Sequence, residues 1–189
     1  MFLNFFHSNK PGEQFESLLA PHMDNLYRLA YRFTGQRHDA EDLVQELLLK
    51  LYPKHSQLQE IEQLRPWLAR TLYNLYIDTI RRQQRSALGN IDFDSEAELE
   101  ALIDHAPEPE KRLELDDTGN RIAAALEQLK EPQRALIILH DMEGYTLAEL
   151  AEILPHPIGT LKSRLHRARR QLRDLLSTEP FASERRFSG

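Results

Sequence analysis

The sequence contains no cysteine among its 189 residues. Without thiols it can form neither disulfides nor a thiolate metal site, and a structural zinc would need histidine or carboxylate ligands alone. Its uninterrupted apolar runs fall far short of the roughly 20 residues that a membrane helix needs. The apolar start of the chain lacks the basic segment and the small-residue cleavage site of a secretory signal. These absences predict a cytoplasmic protein without membrane insertion, bound metal or cofactor.

The charge of the chain is unevenly distributed. A net charge of −6 argues on its own against nucleic acid, since phosphate binding relies on Lys and Arg. However, residues 84–118 carry eleven acidic and three basic residues, whereas residues 160–175 carry six basic residues and one acidic residue. The negative total therefore belongs to one segment, and a basic segment remains as a candidate for nucleic-acid binding.

Apolar residues recur at helical spacing along most of the chain, and no run of alternating apolar and polar residues persists. This pattern predicts an all-α protein made of two small helical domains joined by a flexible acidic linker. The helices predicted for the first domain cover residues 13–34 with a bend near Pro21, residues 38–52, and residues 66–82 after a polar loop over 54–65. Those predicted for the second domain cover residues 120–129, 132–141, 146–154 and 158–176. The predicted division is an N-terminal tail over 1–12, a first domain over 13–85, the linker over 86–118, a second domain over 119–177 and a disordered tail over 178–189.

The second domain carries the pattern of a helix-turn-helix. Thr146-Leu147-Ala148-Glu149 fits the capping box, in which a threonine hydroxyl and a glutamate carboxylate satisfy free amides at a helix start. Pro155-His156-Pro157 then predicts a tight turn before a longer helix that begins near Ile158. In DNA-binding proteins this layout places the second helix in the major groove. Motif and basic charge therefore coincide in one helix.

The helix from Ile158 has two contrasting faces. At 100° per residue, one narrow apolar stripe is expected to pack in the core, and it consists of Leu161, Leu165, Ala168, Leu172 and Leu175. The opposite face carries donors able to reach base edges or phosphates. These predicted DNA-binding residues are Lys162, Ser163, His166, Arg167, Arg170 and Arg173, with Arg164 nearer the buried boundary, where a phosphate or an internal carboxylate is expected. A merely solvated face would also explain the charge, but the turn and capping pattern favours a recognition helix.

Both domains resemble extracytoplasmic-function sigma factors. Region 4 of that family is similar to Gly144-Tyr145-Thr146-Leu147-Ala148-Glu149 followed by Gly159-Thr160-Leu161-Lys162-Ser163-Arg164-Leu165. Region 2 is similar to Asp39-Ala40-Glu41-Asp42-Leu43-Val44-Gln45-Glu46, and to Pro66-Trp67-Leu68 followed by Asn74, Asp78, Arg81 and Arg82. The resemblance implies a sigma factor that directs core RNA polymerase to promoters, aids promoter melting and is not an enzyme. Its implied partners are core polymerase through the β′ coiled coil and β flap, promoter DNA, and an anti-sigma factor.

The resemblance also implies roles for individual residues. The first domain would dock on polymerase and recognise the minus-10 element, and the second would recognise the minus-35 element through the donors of its last helix. The implied polymerase-binding residues are Asp39, Glu41, Asp42, Gln45 and Glu46. The implied minus-10 residues are Arg70, Tyr73, Asn74, Ile77, Arg81 and Arg82. Capping of the helix dipole would explain the first three acids but would leave Gln45 and Glu46 without a role, and Tyr73 and Tyr76 are equally well explained as core or rim residues.

Two positions depart from the family pattern, and two other functions are conceivable. Pro155 stands where many relatives have glycine, so the preceding helix is expected to end differently. His156 replaces a small apolar residue, and its titration could alter docking of the recognition helix. A one-component regulator is the stronger rival, although no dimerisation helix is evident. The other is a metal-dependent phosphohydrolase of the His-Asp type, with ligands His22, His38, Asp39 and Asp78, although a full ligand set is missing.

Overall fold

The computed structural model describes residues 10–88 and 117–178, which we call the first and second units, and every regular element within these ranges is helical. This confirms the all-α prediction. The predicted linker and C-terminal tail fall largely outside the described residues. The first unit begins within the predicted N-terminal tail, because its first helix starts at Lys10. Its helices are α1 (Lys10–Leu19), α2 (Met23–Thr34), α3 (Arg37–Leu51), α4 (His55–Leu58) and α5 (Leu64–Leu88).

Proline and glycine divide the helices of the first unit much as predicted. Pro21 lies in a 3-10 turn, Ala20–His22, that separates α1 from α2. Gly35 ends α2 with a φ of 72°, and its amide donates to the carbonyl oxygen of Tyr31 at 2.8 Å. A glycine adopts this left-handed conformation without the strain that a Cβ atom would cause. The predicted loop over 54–65 is partly wrong, because it contains α4, where the apolar Leu58 is buried in the core.

The core of the first unit lies among α2, α3 and α5, which pack on one another. Each of these helices presents an apolar stripe at a spacing of three and four residues, so one face of each can be removed from water. Typical members of the core are Leu29, Leu47 and Leu72, each of which is fully buried. The helix α5 also buries Tyr73 and Tyr76 on another side. This second buried face of α5 contacts the second unit.

The second unit contains α6 (Asp117–Glu127), α7 (Glu131–Leu136), α8 (Leu147–Ile153) and α9 (Ile158–Thr178). A single helix was predicted over 132–141, but α7 passes into a π-helical segment, Ile137–Met142. There the amide of Glu143 donates to the carbonyl oxygen of Ile138 at 2.9 Å, which is a bond across five residues. Such widened turns are rare and recur at functional sites. This one ends immediately before Glu143.

The two units share a continuous core. Their buried apolar side chains form one cluster, in which α5 packs against α8, and α2 contacts the π-helical segment. Burying apolar surface of both units in one cluster stabilises their association, since each Å² removed from water contributes roughly 25 cal/mol. Within the two described ranges, no helix is both long enough and apolar enough to cross a membrane.

Candidate nucleic-acid interface

The capping box predicted at the start of α8 is present. The amide of Glu149 donates to Oγ1 of Thr146 at 3.2 Å, and Oε2 of Glu149 accepts from the amide of Thr146 at 2.8 Å. Two amides that a helix start leaves free are thereby satisfied. The hydrogen bond from the Thr146 amide holds the pKa of Glu149 below its usual value. Local sequence therefore fixes where the first helix of the helix-turn-helix begins.

The turn of the helix-turn-helix is built around Pro155. The helix α8 ends at Ile153, and Leu154 takes an extended conformation with φ −108° and ψ 137°. A residue that precedes proline is restricted to this region, because the proline ring clashes with a helical predecessor. The amide of His156 then donates to the carbonyl oxygen of Leu154 at 2.7 Å, and α9 begins at Ile158. The expected difference from relatives at this helix end stays a prediction.

The recognition helix α9 has the two faces predicted for it. Leu161, Leu165 and Ala168 are buried in the core, while Leu172 and Leu175 are partly buried against it. On the opposite side the exposed donors are Lys162, Ser163, His166, Arg167, Arg170 and Arg173. The structure therefore presents these side chains together on one surface. Their binding to DNA stays a prediction.

Two other arginines of α9 contact residues elsewhere in the second unit. Nη1 of Arg164 lies 2.8 Å from Nε2 of His156, and because a guanidinium only donates, the imidazole nitrogen accepts. Arg164 thus contacts an imidazole of the turn, and its expected contact with a phosphate or an internal carboxylate stays a prediction. Nε of Arg169 donates to Oδ2 of Asp141 at 2.9 Å, and this hydrogen bond raises the pKa of Arg169. Asp141 lies in the π-helical segment, so the second pair fixes α9 against that segment.

The residues predicted to contact the minus-10 element lie on α5 but differ in accessibility. Arg70, Asn74 and Arg82 are exposed, and Ile77 and Arg81 are partly buried. Tyr73 is only 8% exposed. An aromatic ring must be accessible to stack on an unpaired base. Tyr73 therefore cannot act in that way while the two units are packed together.

The residues predicted to bind polymerase lie along α3. Asp39, Asp42 and Gln45 are exposed, whereas Glu41 and Glu46 are partly buried. Nε of Arg37 donates to Oε1 of Glu41 at 3.0 Å, and Nη2 of Arg82 donates to Oε1 of Glu46 at 3.2 Å. Glu46 thus joins α3 to the predicted minus-10 helix, a structural role that capping of the helix dipole would not give it.

The ligand set of the phosphohydrolase hypothesis is not assembled. The candidate ligands were His22, His38, Asp39 and Asp78. Among the residues that the structure describes, no three His, Cys, Asp or Glu side chains are grouped closely enough to hold a metal ion. Nδ1 of His38 instead lies 3.8 Å from Oδ1 of Asp42, one turn along α3. The described residues thus give this hypothesis no geometric support.

Comparison with known proteins identifies the family. A model described as Sigma-70 region 2 matches residues 18–86, and one described as Sigma-70, region 4 matches residues 119–172. The ECF RNA polymerase sigma factor SigE of Mycolicibacterium smegmatis is 35% identical over 162 residues, covering 86% of this chain and 61% of the relative. SigW of Bacillus subtilis is 30% identical over 181 residues, covering 88% of this chain and 94% of the relative. The chain belongs to the extracytoplasmic-function group of the sigma-70 family.

Solved sigma factor structures share the fold. The sigma factor RpoE of Bartonella quintana, crystallised in complex with the anti-sigma factor NepR, is 28% identical with a TM-score of 0.68. The match covers 88% of this chain and 99% of that one. CnrH in complex with the cytosolic domain of CnrY is 24% identical with a TM-score of 0.62, covers 91% of this chain and 92% of that one, and is similar in fold. These comparisons favour a sigma factor over a one-component regulator or a phosphohydrolase.

Region 2 and region 4 of this sigma factor meet at a buried carboxylate, Glu143, whose side chain is only 1% exposed. Nδ2 of Asn25 donates to its Oε2 at 2.8 Å, and Nε and Nη2 of Arg28 donate to Oε1 and Oε2 at 3.1 and 3.0 Å. Nη1 of Arg32 donates to Oε1, and Nη2 of Arg65 donates to the backbone carbonyl of Glu143 at 2.6 Å. We call these five residues the Glu143 cluster.

Electrostatics within the Glu143 cluster follow from burial and pairing. The hydrogen bond with Glu143 raises the pKa of Arg28. Burial lowers the pKa of Arg32, since desolvation outweighs its attraction to the same carboxylate. The Arg65 guanidinium also lies 4.1 Å from the ring centroid of Tyr145, whose hydroxyl donates to Oδ1 of Asn25 at 3.2 Å. Region 2 thus supplies the cations, and region 4 supplies the carboxylate and an aromatic ring.

A second polar contact covers the tyrosines of region 2. The hydroxyl of Tyr73 donates to Oε2 of Glu131 at 2.9 Å, and Nη2 of Arg134 donates to the hydroxyl of Tyr76 at 2.5 Å. Burial raises the pKa of Glu131 to about 7 and that of Tyr76 to about 12. Burial also raises the pKa of Tyr73 well above its usual value. A predicted minus-10 residue is therefore hydrogen-bonded to region 4.

Sequence reasoning missed the residues of this interface. Asn25, Arg28 and Arg32 are spaced by three and four residues, so they form a polar stripe on one face of α2. That spacing could have been noticed in the sequence. Their partner Glu143 could not have been found in this way, because it lies 118 residues beyond Asn25. It also follows a π-helical segment that no local sequence signal predicts.

Proposed function

We propose that this chain acts as an RNA polymerase sigma factor, which directs core polymerase to specific promoters and aids their melting. The observation that supports it most strongly is the presence of two sigma family matches in the family's order, on residues 18–86 and 119–172. The second match contains a capped helix-turn-helix with an exposed basic face. A helix-turn-helix alone would be shared with repressors and activators.

The two regions would bind different promoter elements. Region 4 would bind the minus-35 element through the exposed donors of α9, which can contact phosphates and base edges in the major groove. Region 2 would bind the minus-10 element through α5, where Arg70, Asn74 and Arg82 are exposed. The acids of α3, led by Asp39 and Asp42, would pair with basic residues of the β′ coiled coil.

The protein would act by binding, in the cytoplasm, and would catalyse no reaction of its own. Its partners would be core polymerase, promoter DNA and an anti-sigma factor. The anti-sigma partner is suggested by the similar RpoE of Bartonella quintana, which was crystallised in complex with NepR.

Run-off transcription with purified core polymerase tests the proposal. Start sites are mapped on genomic fragments with core alone and with core plus this protein. We expect new, promoter-specific starts that share two sequence elements upstream of each start. Adding Asn74→Ala and Arg167→Ala variants should weaken selection of the downstream and upstream elements respectively. Identical transcripts with and without the protein would refute a sigma function.

A further inference from the structure

The Glu143 cluster joins two units that cannot remain together on a promoter. The minus-10 and minus-35 elements are separated by about 25 base pairs, or about 85 Å of duplex. A body of about 150 residues has a radius of gyration near 15 Å, and hence a diameter of roughly 40 Å. Residues 89–116 join the units, and a chain of that length reaches roughly 90 Å when extended. Binding both elements therefore requires the units to separate and removes Glu143 from its partners.

Separation would leave Asn25, Arg28, Arg32 and Arg65 without their carboxylate. The side chains of Arg28 and Arg32 are already 51% and 25% exposed in the packed chain. Asp24 of region 2 also raises the pKa of Arg28. One such acid does not balance three guanidinium groups, so the surface would be strongly cationic. A cationic surface of this kind attracts an anion with oxygen acceptors.

Phosphate fits the geometry of this surface. A carboxylate and a phosphodiester both offer paired oxygen atoms, which the planar fork of arginine binds through two parallel hydrogen bonds. Arg28 already makes such a contact with both oxygens of Glu143, and Asn25 adds an amide donor. Phe33, which follows Arg32 on α2, packs against Tyr73 at a centroid distance of 5.6 Å, so α2 lies beside the face of α5 that carries Tyr73. A DNA strand on that face would bring its backbone near the cluster.

We propose that Asn25, Arg28, Arg32 and Arg65 form a binding site for a phosphate group of promoter DNA, which Glu143 fills as an internal competitor while the units are packed together. This inference rests on the proposed sigma function. It assigns a DNA-backbone contact to α2, and it gives region 4 a second action, which is to block that contact in the free protein.

The absence of cysteine makes the test direct, because single cysteines can be placed for fluorophores. Exposed Gln59 of region 2 and Gln128 of region 4 are replaced by cysteine, and energy transfer between them reports packing of the units. Affinity for a fluorescein-labelled, random-sequence, single-stranded DNA 20-mer is measured in phosphate-free buffer at several salt concentrations. Full-length chains are compared: wild type, Glu143→Gln, and Glu143→Gln with Arg28→Ala and Arg32→Ala. The matched control, Glu152→Gln, makes the same charge change at an exposed site of α8.

We expect Glu143→Gln to lower energy transfer and to raise affinity for the oligonucleotide about tenfold. The slope of log affinity against log salt should steepen by about 0.7, since that is the contribution of one phosphate contact to a single strand. Removing the two arginines should abolish the gain, and Glu152→Gln should change affinity little.

Three results would decide against the inference or separate it from the proposed function. If energy transfer is unchanged in Glu143→Gln, Glu143 does not hold the units together. If the units open but the gain in affinity for the oligonucleotide equals that of Glu152→Gln, the phosphate site is refuted. It is also refuted if the gain in affinity remains after Arg28 and Arg32 are replaced. If the site behaves as expected but the wild type supports no promoter-specific transcription, the sigma function fails while the anion site stands.

Discussion

The hydroxyl of Tyr73 in region 2 donates a hydrogen bond of 2.9 Å to Glu131 in region 4. Glu131 is 1% exposed, so its carboxyl group is withdrawn from water by the packing of the two regions. Withdrawal of a carboxyl group from water favours its neutral form. The contact therefore links the accessibility of a predicted minus-10 residue to the protonation of an acid in the other region.

Packing of the two regions should weaken as the pH rises. Burial raises the pKa of Glu131 to about 7, and release should return it towards its usual value of 4.5. Between these values the packed form holds a proton that the open form lacks, so the stabilisation is complete below pH 4.5 and is lost as the pH rises through 7. Energy transfer between labels at positions 59 and 128 should fall between pH 5 and 8. In Glu131→Gln it should stay high and flat.

The groups that face Glu131 do not titrate in this range. The pKa of Tyr76 is raised to about 12 and that of Tyr73 well above its usual value, while Arg134 carries the guanidinium of the contact. Burial and Arg65 lower the pKa of His22, and relief of that burial on opening would act in the opposite sense, favouring the packed form at higher pH. A His22→Gln background isolates the effect. An unchanged pH response in Glu131→Gln would contradict the assignment.

Loss of the capping box should destabilise region 4. Replacing Thr146 with alanine removes the hydroxyl that accepts from the amide of Glu149, and such losses cost about 1 kcal/mol of unfolding free energy. Urea unfolding followed by circular dichroism measures the change. Ser56→Ala removes an exposed hydroxyl on α4 and should alter stability by less than about 0.5 kcal/mol. Equal stability of the two variants would show that the cap contributes nothing.

Neighbouring arginines of the recognition helix should differ in their effect on DNA binding. Arg167 is exposed on the predicted DNA face, whereas Arg169 is held by Asp141. In holoenzyme bound to a promoter fragment, Arg167→Ala should reduce the slope of log affinity against log salt by about 0.9, the value for one phosphate contact to duplex DNA. Arg169→Ala should leave the slope unchanged. Equal loss of slope in both variants would place both side chains on phosphates.

The acids of α3 should contribute unequally to polymerase binding. Asp39 is exposed, whereas Glu46 accepts a hydrogen bond from Arg82. Asp39→Lys should weaken binding to core polymerase about tenfold or more at low salt, because it places like charges at the interface. Glu46→Gln should weaken it less, and Glu62→Lys at an exposed site outside the predicted set should have little effect. Fluorescence anisotropy with labelled protein gives the three affinities.

Local sequence determined the helices and much of the candidate DNA interface. The capping box at Thr146, the left-handed end of α2 at Gly35 and the two faces of α9 all depend on residues within a few positions of one another. Such signals act over one or two turns, so periodicity and turn chemistry expose them. The π-helical segment and α4 were not predicted from the sequence, because their residues also fit a regular helix and a polar loop respectively.

Tertiary structure alone decided which polar side chains are buried between the two regions. Glu143 and Asn25 are separated by 118 residues, and Tyr73 and Glu131 by 58. No periodicity relates positions so far apart, and a carboxylate beside a glycine gives no sign that three arginines will surround it. The sequence by itself determined an all-α, DNA-directed sigma factor with a basic recognition helix. The packing of its two regions, which buries Glu143, Glu131 and Tyr73, followed only from the three-dimensional fold.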